Sequence, residues 1–177
     1  MGIDLWVERS AAGVTPQTSP AAHEVIEQKS LAELSGIEFN AAVAGLKVTC
    51  SEPAREADLL VITDGPDLTG ECTKLLDSMF KAIELNRSQW LHAGISPAED
   101  ALPISQLGES VKPKSVLMMI STGGDAAALA SLRGKMHRPQ ALQAFVVASF
   151  HPQDLLDNPS VKRPAWEDLK QLRQWLG

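Results

Sequence analysis

Apolar and polar positions alternate between two rhythms along most of the chain. Residues 58–63 (DLLVIT), 114–121 (KSVLMMIS) and 142–149 (LQAFVVAS) are nearly continuous apolar runs. Such runs predict strands covered on both faces, because a buried parallel strand has no polar side to show. Residues 46–50 and, more weakly, 88–93 read as further strands. Between them the period becomes helical. In 71–85, Cys72, Leu75, Leu76, Met79, Phe80 and Ile83 recur at helical spacing, with Thr69 as the N-cap. Helices are also predicted over 23–34, 98–111 and 125–132, the last entered through Gly123-Gly124. A final helix begins near Pro164, with Trp166, Leu169, Leu172 and Leu176 on one face; proline suits a first turn, where its missing N–H has no partner to lose. Strands alternating with helices predict one α/β domain, a three-layer α/β/α sandwich on a mainly parallel sheet.

The N-terminal part follows neither rhythm. Residues 1–9 (MGIDLWVER) are apolar, with Ile3, Leu5, Trp6 and Val7, whereas 10–20 are small, polar and broken by Pro16 and Pro20. That is a linker's composition. The chain divides into a peptide at 1–9, a linker and short helix at 10–36, and the α/β domain at 37–177. A tethered Trp-bearing peptide either docks on its own domain or binds another protein.

Composition narrows the function classes. A length of 177 residues fits one domain, and 44% hydrophobic against 21% charged residues excludes a disordered chain. The net charge of −6 excludes a uniformly basic nucleic-acid coat, and four Trp, four Phe and no Tyr make a broad base-stacking platform a poor fit. The charge is uneven: residues 1–99 carry seven Lys/Arg against fifteen Asp/Glu, residues 100–177 nine against seven. Arg133, Lys135 and Arg138 cluster in 132–140 without an acid, as a solvated loop or a local phosphate contact. Cys50 and Cys72 stand alone, so neither a metal site nor a cofactor is expected. No leader or apolar run of about 20 residues is seen, which predicts a cytoplasmic protein without a membrane span.

Ligands of parallel α/β sheets sit beyond the carboxyl ends of strands. Three loops qualify: Asp64-Gly65-Pro66-Asp67, Thr122-Gly123-Gly124-Asp125 and Phe150-His151-Pro152. The glycine pair fits no phosphate-binding motif. His151 is read either as a catalytic group or as a structural hydrogen-bonder.

The segment 149–169 (SFHPQDLLDNPSVKRPAWEDL) resembles the C-terminal motif of the uracil-DNA glycosylase superfamily, particularly its family 4 enzymes. Thr122-Gly123-Gly124-Asp125-Ala126-Ala127 is similar to the family's Gly-turn helix and Leu132-Arg133-Gly134-Lys135 to its Arg-Gly loop. The resemblance implies a glycosylase-like fold in which His151 stabilises the departing uracil anion and Asp64 handles the water or the sugar cation. The chain also departs from the family. Thr63-Asp64-Gly65-Pro66-Asp67 replaces Gly-Glu-x-Pro-Gly, the stretch that supplies the stacking Phe is missing, the base-reading Asn is replaced near Ala93, and the cluster cysteines are absent. With both recognition elements gone, the retained residues are expected to be structural: His151-Pro152 for a turn, Asn158-Pro159 for a helix start, Trp166 for packing. Asp64 and His151 are then vestigial.

A second resemblance accounts for these losses. Met1-Gly2-Ile3-Asp4-Leu5-Trp6 is similar to the N-terminal Leu-Gly-Ile-x-x-Trp of the ψ subunit family of bacterial DNA polymerase III, a non-catalytic branch of the same fold. Leu60-Val61, Pro66-Asp67-Leu68-Thr69, Ala82-Ile83-Glu84-Leu85, Gln89, Leu91, Val147-Ala148-Ser149, Leu155, Asn158-Pro159, Trp166 and Leu169 follow in the same order. The resemblance implies that Ile3, Leu5, Trp6 and Arg9 contact the clamp-loader γ/τ subunits. It implies that the globular domain binds χ, which contacts single-strand-binding protein. The expected function is a non-enzymatic replication adaptor; the alternative is a divergent uracil-DNA glycosylase.

Overall fold

A computed structural model describes residues 30–177. The peptide at 1–9, most of the linker and most of the helix expected over 23–34 lie outside the described residues. Six strands form one sheet in the order β4-β1-β3-β2-β5-β6: β1 (Lys47–Cys50), β2 (Leu59–Thr63), β3 (Trp90–Ile95), β4 (Leu102–Pro103), β5 (Ser115–Ile120) and β6 (Phe145–Phe150). β3, β2, β5 and β6 run parallel, whereas β1 runs antiparallel to both β3 and β4. Every residue of β2 and β5 is buried, as their unbroken apolar runs require.

Among the described residues five helices cover the sheet: α1 (Gly36–Ala44), α2 (Gly70–Ala82), α3 (Ile104–Val111), α4 (Pro152–Asp157) and α5 (Lys162–Leu176). α1 packs on α3, whereas α2 packs on α4 and α4 leads through a 3-10 turn at Pro159–Val161 into α5. The crossover through α2 moves one way along the sheet and that through α3 the other. Right-handed connections therefore place these helices on opposite faces, making the three-layer sandwich.

Local chemistry sets the helix ends. Thr69 caps α2 by accepting the Cys72 N–H at 3.3 Å, and Cys72, Leu76 and Phe80 form its buried stripe. α3 stops where Lys112 takes a left-handed conformation and accepts no further turn before Pro113. It is shorter than the helix expected over 98–111, because Leu102-Pro103 pairs with β1 first. The expected helix at 125–132 contains only a 3-10 segment, Ala128–Ser131. Two helices were not anticipated. Ser35 and Glu38 form a capping box that starts α1. His151-Pro152, expected as a turn, instead opens α4: Pro152 occupies its first turn and the His151 side chain caps it.

Trp166 departs from the packing role expected for it. Ala165, Asp168, Leu169, Leu172 and Leu176 make the buried face of α5, and Trp166 stands 38% exposed. Helix periodicity is the reason. The buried stripe centres on Leu172 and Leu169, and Trp166 falls on its flank.

Candidate functional site

The chain leaves β2 toward β3 and leaves β5 toward β6, so the loops after β2 and β5 diverge and open a crevice. Asp64 stands at the end of β2, and one of its carboxylate oxygens, Oδ2, accepts the Ser121 backbone N–H at 2.7 Å. Asp154, in the first turn of α4, accepts the Thr122 N–H at 2.8 Å and the Thr122 hydroxyl at 2.9 Å. Gly123 and Gly124, both at positive φ, turn the chain directly after these anchors. Together with His151 they line a cavity of about 560 Å³, with Gln153, Asp157, Asn158 and Val161 completing the wall. The three strand-end loops read from the sequence thus meet at one site, and Asp64 and His151 share it.

His151 Nδ1 accepts the Gln153 N–H at 3.1 Å, which places the proton of the neutral ring on Nε2. Nε2 is shielded and has no hydrogen-bond partner among the described residues. Burial pushes the His151 pKa below its ordinary value, against the pull of the Asp64 and Asp154 carboxylates. Burial raises the Asp64 pKa, and the Ser121 amide and His151 only partly offset it. The two groups influence each other's charge, but no hydrogen bond joins them: Asp64 is held by the Ser121 amide and His151 by the Gln153 amide. The wall does not suit an anionic leaving group: it holds Asp64, Asp154 and Asp157 and, among the described residues, no Lys, Arg or aromatic ring beyond the imidazole.

The neighbouring crevice, between β2 and β3, is filled by backbone. A Cβ on Gly94 would lie 2.0 Å from the Gly65 carbonyl oxygen and 2.3 Å from Pro66 Cα. A chain of polar groups beneath it was not foreseen. The buried His92 contacts the Thr63 hydroxyl through Nε2 at 2.8 Å and the Ser51 hydroxyl through Nδ1 at 3.3 Å, and Thr63 donates to the Gly65 carbonyl at 3.3 Å. With Nε2 protonated, each of these groups has a consistent role: Ser51 donates to the ring, the ring to Thr63, and Thr63 to Gly65. Burial foremost, with Arg87 and His151 adding, lowers the His92 pKa to about 4, so the ring is neutral at physiological pH. A histidine inside an apolar strand run was the only signal of it in the sequence.

The basic cluster lies apart from this cavity; Arg133 turns inward, whereas Lys135 and Arg138 stay exposed. Arg133 makes a two-point contact with the buried Asp168, Nε at 2.8 Å and Nη2 at 3.0 Å, and lies over the Phe150 ring at 4.6 Å. Ser149 donates to the same carboxylate at 2.8 Å. Lys135 Nζ donates to the Ser131 carbonyl at 2.9 Å, and Arg138 covers the Phe145 ring at 4.0 Å. Ile3, Leu5, Trp6 and Arg9 lie outside the described residues.

A larger hollow of about 650 Å³ lies between α3 and residues 140–144, but among the described residues only Glu109 and Lys112 bring charge to it. Among the described residues, no group of three or more His, Cys, Asp or Glu is placed to hold a metal ion, and no helix is long and apolar enough to cross a membrane. No family model matches the chain, and no curated protein matches its sequence.

Proposed function

We propose that the chain is a non-enzymatic adaptor of the bacterial replicative DNA polymerase III holoenzyme, similar to ψ, acting in the cytoplasm. In this reading Ile3, Leu5, Trp6 and Arg9 engage the clamp-loader γ/τ subunits, and the globular domain engages χ and, through it, single-strand-binding protein. The observation that carries the non-enzymatic part is the wall of the strand-end cavity. Three acidic residues line it, and among the described residues no Lys or Arg and no stacking ring do. A uracil anion leaving there would develop charge beside Asp64 and Asp154, the reverse of what electrostatic stabilisation requires. The Gly65–Pro66 backbone against Gly94 likewise leaves β3 no room for an edge-reading side chain. Contact with DNA is weak or indirect in this reading: Arg133 is neutralised by Asp168, which leaves only the exposed Lys135 and Arg138 of the basic cluster to meet phosphate. The positive part of the reading rests on the ordered resemblance to ψ, from the N-terminal peptide to Trp166 and Leu169.

The second reading, a divergent uracil-DNA glycosylase, draws on one observation: Asp64 and His151 line a single cavity. Two measurements on the full chain separate the two. Binding to purified clamp loader is expected, with Trp6→Ala weakening it by about 2 kcal/mol, the loss typical of a buried aromatic anchor. No binding by the intact chain would sink the adaptor. Uracil-containing single- and double-stranded DNA is expected to stay intact; abasic sites formed by the wild type and lost in His151→Ala would establish the enzyme instead.

A further inference from the structure

Trp166 is the largest side chain of the C-terminal motif, yet it leaves the core to the leucines and stands 38% exposed. Its surroundings on α5 are cationic. Lys162, Arg163 and Lys170 lie four and three residues before it and four after, positions that share its side of a helix. Lys162 and Arg163 are exposed and make no ion pair or side-chain hydrogen bond among the described residues. Lys170 pairs with Glu167 at 2.7 Å, both half-exposed, a contact that water and salt readily replace. On a chain of net charge −6, this face gathers three cations around one exposed ring, with the carboxylate of Glu167 beside them.

We propose that this face of α5 is a docking site for a short acidic peptide segment of a partner protein, one that lays an apolar side chain on Trp166. The ring supplies the apolar anchor, and the cations fix orientation and speed encounter. The site does not suit nucleic acid, because its unpaired charge is short: beyond Lys170 the next cation of the helix, Arg173, is already paired with Glu84 at 3.3 Å. Lys162 to Lys170 spans about 12 Å of helix at 1.5 Å per residue, the length of roughly four extended peptide residues. One ring also makes only one stacking platform, where single-stranded nucleic acid is tracked by several. This inference stands apart from the adaptor reading, since it uses neither the N-terminal peptide nor the strand-end cavity.

The test is fluorescence anisotropy on the full chain with three labelled probes: Asp-Asp-Asp-Phe, the same peptide with Ser for Asp, and an oligo(dT) strand. The acidic peptide is expected to bind, more weakly as salt rises. Trp166→Ala and the double variant Lys162→Ser/Arg163→Ser are each expected to raise its Kd at least tenfold. The double variant alters only exposed side chains, so it reads the site even if Trp166→Ala loses stability. Equal binding of the Ser peptide, tighter binding of the oligonucleotide, affinity unchanged in the double variant, or no binding would each overturn the proposal.

Discussion

His92 shows how much a single buried side chain fixes around the site. Its ring joins Ser51 of the loop after β1 to Thr63 at the end of β2, and through Thr63 it steadies the Gly65 carbonyl beside Asp64. The native ring titrates near 4, whereas an unfolded histidine titrates near 6.5. Between these values the unfolded chain binds the extra proton, so stability is full above about pH 6.5 and falls as pH drops toward 4. The ring is 4% exposed, and the loss over that window amounts to about 3 kcal/mol at most. Urea unfolding between pH 7 and 4 should show this fall in the wild type and a flatter profile in His92→Gln. Equal slopes would mean that another group carries the acid sensitivity. Gly94 makes a second prediction at the same scale. Any side chain there meets Gly65 and Pro66 backbone, so Gly94→Ala should cost about 3 kcal/mol or more, the size of a severe steric conflict. Thermal unfolding reads it directly; a shift within error would show that the loop moves freely.

At the scale of elements, the basic loop and the last helix are joined by the Arg133–Asp168–Ser149 network. Burial raises the Asp168 pKa, and Arg133 and Ser149 counter it. Removing one partner leaves the other charged and enclosed, so Asp168→Ala should destabilise by about 3–5 kcal/mol. The double change Arg133→Met/Asp168→Leu should recover much of that loss, and chemical denaturation of the two variants checks the difference. This network also marks what was legible in the sequence. The apolar runs in β2, β5 and β6 and the period of α2 report burial directly, so the layers and the strand-end placement of Asp64 and His151 followed from them. A polar pair distant in sequence reports nothing, because Arg133 in a loop and Asp168 in a charged helix look solvated until the fold joins them. Elements made by caps were hidden for a related reason. α4 is built on His151 and Pro152, and α1 on Ser35 and Glu38; their apolar content is too brief for periodicity to show. β4 was hidden because pairing with β1, not its own pattern, makes Leu102-Pro103 a strand.

On the scale of the whole molecule, the acidity divides into a part that solvates the surface and a part that faces the strand-end cavity. Asp64 belongs to the second. Its native pKa is raised by burial, so ionising it works against folding: relative to a neutral side chain, stability is lost as pH rises through that pKa. A protein that kept this carboxylate for chemistry would lose function with it. An adaptor that only inherited it would lose nothing and fold slightly better, by up to about 1 kcal/mol, as substitutions that relieve strained sites do. Asp64→Asn is therefore expected to raise the thermal midpoint modestly and keep the Ser121 contact, since an amide oxygen still accepts that N–H. Under the proposed adaptor function, the same variant should bind the clamp loader with the affinity of the unsubstituted chain. Unchanged stability together with lost partner binding would place Asp64 in an interface. A stabilised variant with intact binding makes the cavity a relic of the fold and leaves interaction to surfaces outside it.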